Sequence, residues 1–525
     1  MLFNSVEFIF IFLPITVILF FLLGNFNRRG AAIFLTFASF CFYAYWKIEF
    51  LPLLASSIIG NYLASLLISR WRGQTHGIVA LGGAITLNLI ALGFFKYYNF
   101  FVTSIDGLSK LFPTMNIELP IGISFFTFTQ IAFLIDTWRK ISEERNVIHY
   151  ALFVTYFPHL IAGPVLHHKQ MMPQFANEST YRFNIESFSI GIFYFVVGLF
   201  KKIVIADSFA PFASALFDHV SGGANPPILA AWIGALSYTF QIYFDFSGYS
   251  DMAVGISKMF GITLPFNFNS PYKSTNIITF WRRWHMSLSQ FLRDYLYFPL
   301  GGNRNGKSRR YMNLMVTMLL GGLWHGANWT FVIWGGLHGL YLVINHAWRH
   351  LFSQDAPATA AGKAFGWVCT FLAVVVGWVF FRAQDWTQAV AILSAMTGIS
   401  GVVLPTSMGA TLGAAGQWLS THGVAFTDAA FQVAGQEIRS PSRFARLAFA
   451  ALVLIAMPNS QQIATFLGQA VKADTAGLSP RFARIFERRK MMATGIALSG
   501  IVLGIAFFVC LTLLRRKAEF LYFQF

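Results

Sequence analysis

Apolar runs of about twenty residues recur along almost the whole chain, and this one feature leaves it few ways to fold. A hydrocarbon layer about 30 Å thick is crossed by about 20 apolar residues rising 1.5 Å each. Inside that layer only a helix or a closed barrel satisfies its own backbone amides. The runs lie around residues 8–24, 31–48, 50–69, 77–95, 119–136, 148–166, 187–206, 226–244, 311–323 with 329–348, 364–381, 443–457 and 491–513. They predict roughly 11 to 13 membrane segments in one polytopic, all-α body. The first run has no basic residue before it and no small-residue cleavage site after it, so it reads as a retained helix and not a signal peptide. No internal repeat at solenoid spacing is present.

Charge supports the same reading. Only 11% of the 525 residues are charged, against about 25% in soluble domains, which excludes a water-soluble enzyme. The net charge of +17 would suit nucleic acid, but the Lys and Arg residues sit in short clusters between apolar runs. That is the pattern of positive-inside membrane loops and argues against a nucleic-acid partner. Arg28-Arg29, Arg70 with Arg72, and Arg139-Lys140 follow the first, third and fifth runs, so they share the cytoplasmic side and put the N-terminus outside. Arg481, Arg484, Arg488, Arg489 and Lys490 precede the last run and outnumber Arg515, Arg516 and Lys517 after it, which places the tail outside too. Cys41, Cys369 and Cys510 lie far apart in apolar runs, with neither disulfide nor metal spacing.

Two polar stretches interrupt the pattern, at 353–363 and 402–441. The chain therefore divides into a membrane core at 1–400, a solvated connector or partner-docking loop at 401–442, C-terminal membrane helices at 443–514 and an aromatic tail at 515–525. Polar chemistry concentrates between 241 and 350: Asp245, Tyr249 and Asp251, then the Trp281 to Ser287 run with Arg282 and His285, then Trp324, His325 and Asn328. Ionisable groups at membrane depth cost about 2.5 to 3.5 kcal/mol each and normally face a cavity. These residues accordingly predict an aqueous or substrate-lined chamber. Thr279 to Tyr297 reads as an amphipathic or re-entrant helix.

His325 is the leading candidate for a general base, because a neutral imidazole accepts a hydroxyl proton near pH 7. The glycines beside it suggest close approach of a ligand. His285 either lines the same chamber or, with Arg282, Arg283 and Trp284, anchors a helix at the headgroups. Asp245 and Asp251 are expected to bond backbone donors or arginines, not to form a catalytic pair. His159, His167 and His168 lack a carboxylate or cysteine to complete a metal site in the sequence, so no metal is expected.

Five motifs carry a resemblance. They are Pro120-Ile121-Gly122-Ile123-Ser124, Phe157-Pro158-His159-Leu160-Ile161-Ala162-Gly163-Pro164, Phe244-Asp245-Phe246-Ser247-Gly248-Tyr249-Ser250-Asp251-Met252, Trp281 to Ser289, and Leu323-Trp324-His325-Gly326-Ala327. In this order they resemble the membrane-bound O-acyltransferase family, in particular its bacterial branch for alginate, peptidoglycan and cellulose O-acetylation and teichoic-acid D-alanylation. The resemblance implies a ring of membrane helices around a funnel, with His325 as the catalytic histidine and His285 as the second histidine of that branch. It implies acetyl transfer from a cytoplasmic thioester, acetyl-coenzyme A, towards an extracytoplasmic polysaccharide in the bacterial inner membrane. Trp324, Asn328, Asp245, Tyr249, Asp251 and Arg282 are then expected to bind substrate, and His285, Asn328 or Trp324 to supply an oxyanion donor. A transporter or flippase, or a family member acylating a lipid or protein, is the alternative. The tail Phe520 to Phe525 resembles the C-terminal motif of extracytoplasmic acylation systems. There Tyr522 would carry the acyl group to a separate transferase or acceptor protein, unless the aromatics merely anchor the tail at the interface.

Overall fold

The computed structural model describes residues 1–141, 145–161, 163–221, 223, 225–352, 359–399, 401–428, 432–433, 436–437, 441–466, 489–514 and 521. Helices account for almost all of its regular structure. The exceptions are a parallel pair, Val402–Leu404 with Val424–Phe426, and a two-residue antiparallel pair at 432–433 and 436–437. Short helices Thr406–Leu412 and Ala414–Thr421 lie between the parallel strands, so much of the 401–442 stretch is ordered secondary structure.

Among the described residues, Phe8–Phe26, Ile48–Arg70, Thr75–Ser104, Ile185–Ser221 and Ala360–Arg382 are long and apolar enough to cross a membrane. Their outer faces stay apolar and exposed, as at Ile18, Val79 and Leu87, which suits contact with lipid chains. The chain is a multi-pass membrane protein. These five are fewer than the predicted segments because other expected spans form helices that are shorter, such as Ile123–Trp138, or more polar, such as Gly306–His325. The expected run at 148–166 is not one helix. It stops at Thr155 and restarts as Phe157–Leu160, because Pro158 has no amide proton to continue the ladder and its ring would clash with the preceding turn.

The chain forms two compact units. The first comprises the described residues of Met1–Ile203, Phe246–Asn267 and Pro458–Gln524. In it, Asn61 of the Leu51–Arg70 helix and Asn88 of the Thr75–Leu92 helix exchange amide hydrogen bonds at 3.2 and 2.7 Å. Such interhelical polar contacts substitute for the hydrophobic effect that lipid surroundings remove. Gly191 and Gly198 face Gly255 and Gly248 so closely that an added Cβ would stand 2.6 and 2.5 Å from the opposing carbonyl oxygens. The matching seven-residue spacing lets two backbones touch over two turns. Arg72 donates to the carbonyl of Thr137 at 2.5 Å, bringing the basic cluster after the third run to the end of the fifth.

The second unit comprises the described residues of Val204–Asp245 and Phe268–Met457. Its centre is a hairpin of Gly306–His325 and Trp329–Leu351, with Ala360–Arg382 packed on the latter. The helix Ile228–Met259 contributes its residues up to Asp245 to this unit.

Candidate active site

His325 is the last residue of the Gly306–His325 helix. Asn328 then starts the return helix as its cap: Oδ1 accepts from the Thr330 amide at 3.0 Å, and Nδ2 donates to the Gln384 carbonyl at 2.7 Å. Both ends of the Asn328 amide are thus engaged in holding the hairpin. The two helices meet at glycines. A Cβ on Gly322 would stand 2.2 Å from the Phe331 carbonyl oxygen, and one on Gly335 would stand 2.3 Å from that of Met318. A Cβ on Gly326 would enter the Phe331 ring at 2.1 Å. The expectation that the glycines beside His325 leave room for a ligand is therefore corrected. Gly322 and Gly326 use that room to bring Phe331 and the opposing backbone close.

Three rings surround the His325 imidazole: Trp324 at 4.9 Å between centroids, Trp334 at 5.1 Å and Phe381 at 5.2 Å, with interplanar angles of 71° to 87°. These edge-to-face contacts are the arrangement that aromatic quadrupoles favour, and they set the plane of the imidazole.

His285 lies where the expected Thr279 to Tyr297 helix breaks. Ile277–Trp281 ends, and Met286–Leu292 begins after His285 takes φ +42° and ψ 55°. A non-glycine residue in the left-handed region is uncommon, and such strain clusters at functional sites. The Asn269 amide donates to the Arg283 carbonyl at 2.9 Å, which pins the turn. His285 is 1% exposed, and burial pushes its pKa down to about 3, so its ring is neutral at physiological pH. Its ring meets Trp324 at 6.4 Å. One indole therefore touches both histidines.

Trp284 is buried, stacked on Phe280 at 5.6 Å and packed on Trp378 at 4.8 Å. The headgroup-anchor reading fails for Trp284 and His285, since a ring enclosed by other rings is not at a lipid surface. Arg282 alone of this group is exposed.

The structure brings His285, Trp324, His325, Asn328 and Arg282 into the second unit, with Asp245 buried in the same unit. Tyr249 and Asp251 belong to the first. There Tyr249 stacks on Phe3 at 4.6 Å and 18°. Asp251 Oδ2 accepts from Lys201 Nζ at 2.6 Å, so its partner is a lysine and not the backbone donor or arginine expected. His159 Nε2 bonds the Phe153 carbonyl at 2.8 Å. His168 lies 3.7 Å from Asp136 Oδ2, which corrects the expectation that no carboxylate stands beside these histidines. Among the described residues no three such side chains form a metal-binding group. Tyr522 lies outside the described residues.

An apolar crevice of about 610 Å³ opens in the first unit, lined by Leu13, Val17, Phe188, Ile192, Phe195 and Leu503 among others. Among the described residues its lining carries no ionisable group. The residues that sequence reasoning missed are Trp334 and Phe381. Trp334 and His338, four apart, share one face of a helix, and that spacing was the available signal.

Residues 40–384 match the model of the membrane-bound O-acyltransferase family. The chain belongs to this family. It is similar to a peptidoglycan O-acetyltransferase of Helicobacter pylori, with 43% identity over 77% of this chain and 81% of that protein. It is also 45% identical to a probable alginate O-acetylase of Azotobacter vinelandii, over 75% and 78% of the two chains. A teichoic acid D-alanyltransferase of Streptococcus thermophilus is 28% identical over 55% of this chain and 75% of that protein. Family membership makes the protein an acyltransferase, and the buried histidine pair around Trp324 is the candidate centre for that chemistry.

Proposed function

We propose that the protein transfers an acetyl group from a cytoplasmic thioester, acetyl-coenzyme A, for O-acetylation of an extracytoplasmic polysaccharide at the bacterial inner membrane. The observation that carries this reading is the contact of His285 and His325 with one indole, Trp324, inside a family of O-acyltransferases. The relatives named for peptidoglycan and alginate acetylation support acetyl as the group and polysaccharide as the acceptor class.

In this mechanism neutral His325 accepts the proton of an acceptor hydroxyl as its oxygen attacks the thioester carbonyl carbon. A C–O bond forms, and the carbonyl oxygen becomes an oxyanion that needs a donor in a dry site. The carbon–sulfur bond then breaks, and the thiolate takes the proton back from the imidazolium. General-base assistance of this kind contributes roughly 10²- to 10⁴-fold. Asn328 Nδ2 is engaged with Gln384; His285 and the Trp324 indole are the other two candidate oxyanion donors.

Basic clusters on one side of the membrane support donor entry from the cytoplasm, with both termini outside. Tyr522 then has a role as acyl carrier to a separate transferase: a phenol with a pKa near 10 is a better leaving group than an alkoxide. Tyr522→Phe keeps the ring and removes only the hydroxyl, so unchanged polymer acetylation in that variant eliminates the relay.

Membrane vesicles given labelled acetyl-coenzyme A test the whole reading. His325→Ala is expected to insert and fold normally while losing transfer. Retention of more than about a tenth of wild-type activity rules out His325 as the base, given the roughly 10²-fold minimum.

A further inference from the structure

His338 is completely buried in the Trp329–Leu351 helix, four residues after Trp334. Aromatic rings enclose it: Trp334 at 4.8 Å, Trp281 at 5.2 Å, Tyr341 at 5.6 Å and Phe280 stacked at 6.2 Å. Neither of its ring nitrogens has a hydrogen-bond partner among the described residues. The same holds for the buried Nε1 atoms of Trp334 and Trp281. Four buried polar nitrogens thus stand without a hydrogen-bond partner in an otherwise apolar cluster of rings. Buried polar atoms are almost always paired, with protein or with ordered water. A phenylalanine would fill this box without desolvating any nitrogen, so apolar packing alone gives no reason for histidine here.

Gly377 of the Ala360–Arg382 helix marks where the polar edges face. A Cβ there would stand 2.9 Å from His338 Nε2 and 3.5 Å from Trp334 Cδ1, the carbon bonded to Nε1. The imidazole nitrogen and the pyrrole edge of the indole therefore look onto the same stretch of bare backbone. Across Trp334 stands His325, at 5.1 Å and 87°.

We propose that His338, with the indole N–H groups of Trp334 and Trp281, encloses a buried site for one small oxygen guest. Through that guest His338 positions Trp334 against His325. The indoles donate to the oxygen, and the imidazole accepts from or donates to it according to its tautomer. The guest is a water molecule or a hydroxyl of the bound acceptor. In either case it fixes the rotation of Trp334 and with it the plane of the His325 ring. His338 is a positioning residue, and its role rests on the acyl-transfer reading above.

The test compares wild type, His338→Phe and His338→Asn in vesicles supplied with acetyl-coenzyme A and acceptor, scoring kcat, both KM values and the thermal midpoint. His338→Phe keeps the ring stack and removes both nitrogens. Its kcat is expected to fall about tenfold or more, the scale of a small misplacement of a catalytic group, with the donor KM unchanged. An unchanged acceptor KM identifies the guest as water, and a raised acceptor KM identifies it as the acceptor hydroxyl. His338→Asn, which restores a donor and an acceptor, should recover part of the kcat.

Three results overturn the proposal: wild-type kcat in His338→Phe, a His338→Asn no better than Phe, or a higher thermal midpoint in His338→Phe. The last would mean that the nitrogens were idle and their removal a relief. This thermal readout needs no turnover, so it decides the guest site even if wild-type vesicles fail to transfer acetyl, a failure that would count only against the acyl-transfer reading.

Discussion

The side-chain amide of Asn328 donates to the backbone carbonyl of Gln384 at 2.7 Å, while its oxygen caps the Trp329–Leu351 helix through Thr330. One side chain thus ties the turn after His325 to the segment just beyond Arg382. Asn328→Ala should lose both bonds, costing about 1 kcal/mol for the cap and a similar amount for the second hydrogen bond. Asn328→Asp keeps a good capping oxygen but sets a carboxylate against the Gln384 carbonyl. It is expected to lower the thermal midpoint of the purified protein, because the lost donor is replaced by repulsion. An Asp variant as stable as wild type would show that the Gln384 bond contributes nothing.

The hairpin that presents His325 depends on backbone contact at Gly322 and Gly335. Gly335→Ala places a methyl group 2.3 Å from the Met318 carbonyl oxygen, and backbone atoms cannot move aside as a flexible side chain can. Overpacking of this kind costs about 1–3 kcal/mol, and the helices must separate to accept it. The variant should lose stability and activity together. Gly82→Ala is the control, since nothing lies within 4 Å of its added Cβ, and it should leave both unchanged.

His285 allows its backbone and imidazole roles to be separated. Its φ of +42° favours glycine or asparagine, so His285→Asn should fold at least as well as His285→Ala. Both should lose acetyl transfer, because neither carries an imidazole beside Trp324. The ionisation has a defined sign. Burial depresses the folded pKa from 6.5 to about 3, so the unfolded chain binds the proton more readily. The stability this group contributes is present above pH 6.5 and is lost as pH falls from 6.5 towards 3. Thermal midpoints measured across that window should fall less steeply in His285→Asn than in wild type. Parallel curves would count against a buried neutral imidazole.

Much of the helical framework was legible in the residue pattern, for a physical reason. Hydropathy over about twenty residues reports whether a segment tolerates lipid, and the Phe8–Phe26, Ile48–Arg70 and Ala360–Arg382 helices follow their runs closely. Of the polar concentration between 241 and 350, the part from Phe268 on lies in the unit that holds His285 and His325, whereas Tyr249 and Asp251 fall in the other. Pairings between distant residues leave no local trace. Nothing near Asn328 announces Gln384, fifty-six residues on, and nothing near Asp251 announces Lys201. Glycine is ambiguous for the same reason: the spacing around His325 fits close approach of a ligand or of a helix, and only the position of Phe331 separates them.

Lys201 and Asp251 give the last test, in the first unit. Their 2.6 Å contact is largely buried, with the side chains 15% and 9% exposed. Desolvating two such ions costs several kcal/mol, and mutual attraction repays it only while both are present. Lys201→Met should therefore destabilise the protein by about 3–5 kcal/mol by leaving a buried carboxylate unpaired, and Asp251→Leu should do the same to the ammonium. The double variant removes both charges and fills the space with apolar volume, so it is expected to recover most of the loss. Thermal or denaturant midpoints of the four proteins form the cycle. Additive losses in the double variant would mean that the two side chains stabilise the unit independently, and a recovery would establish that each is held there by the other.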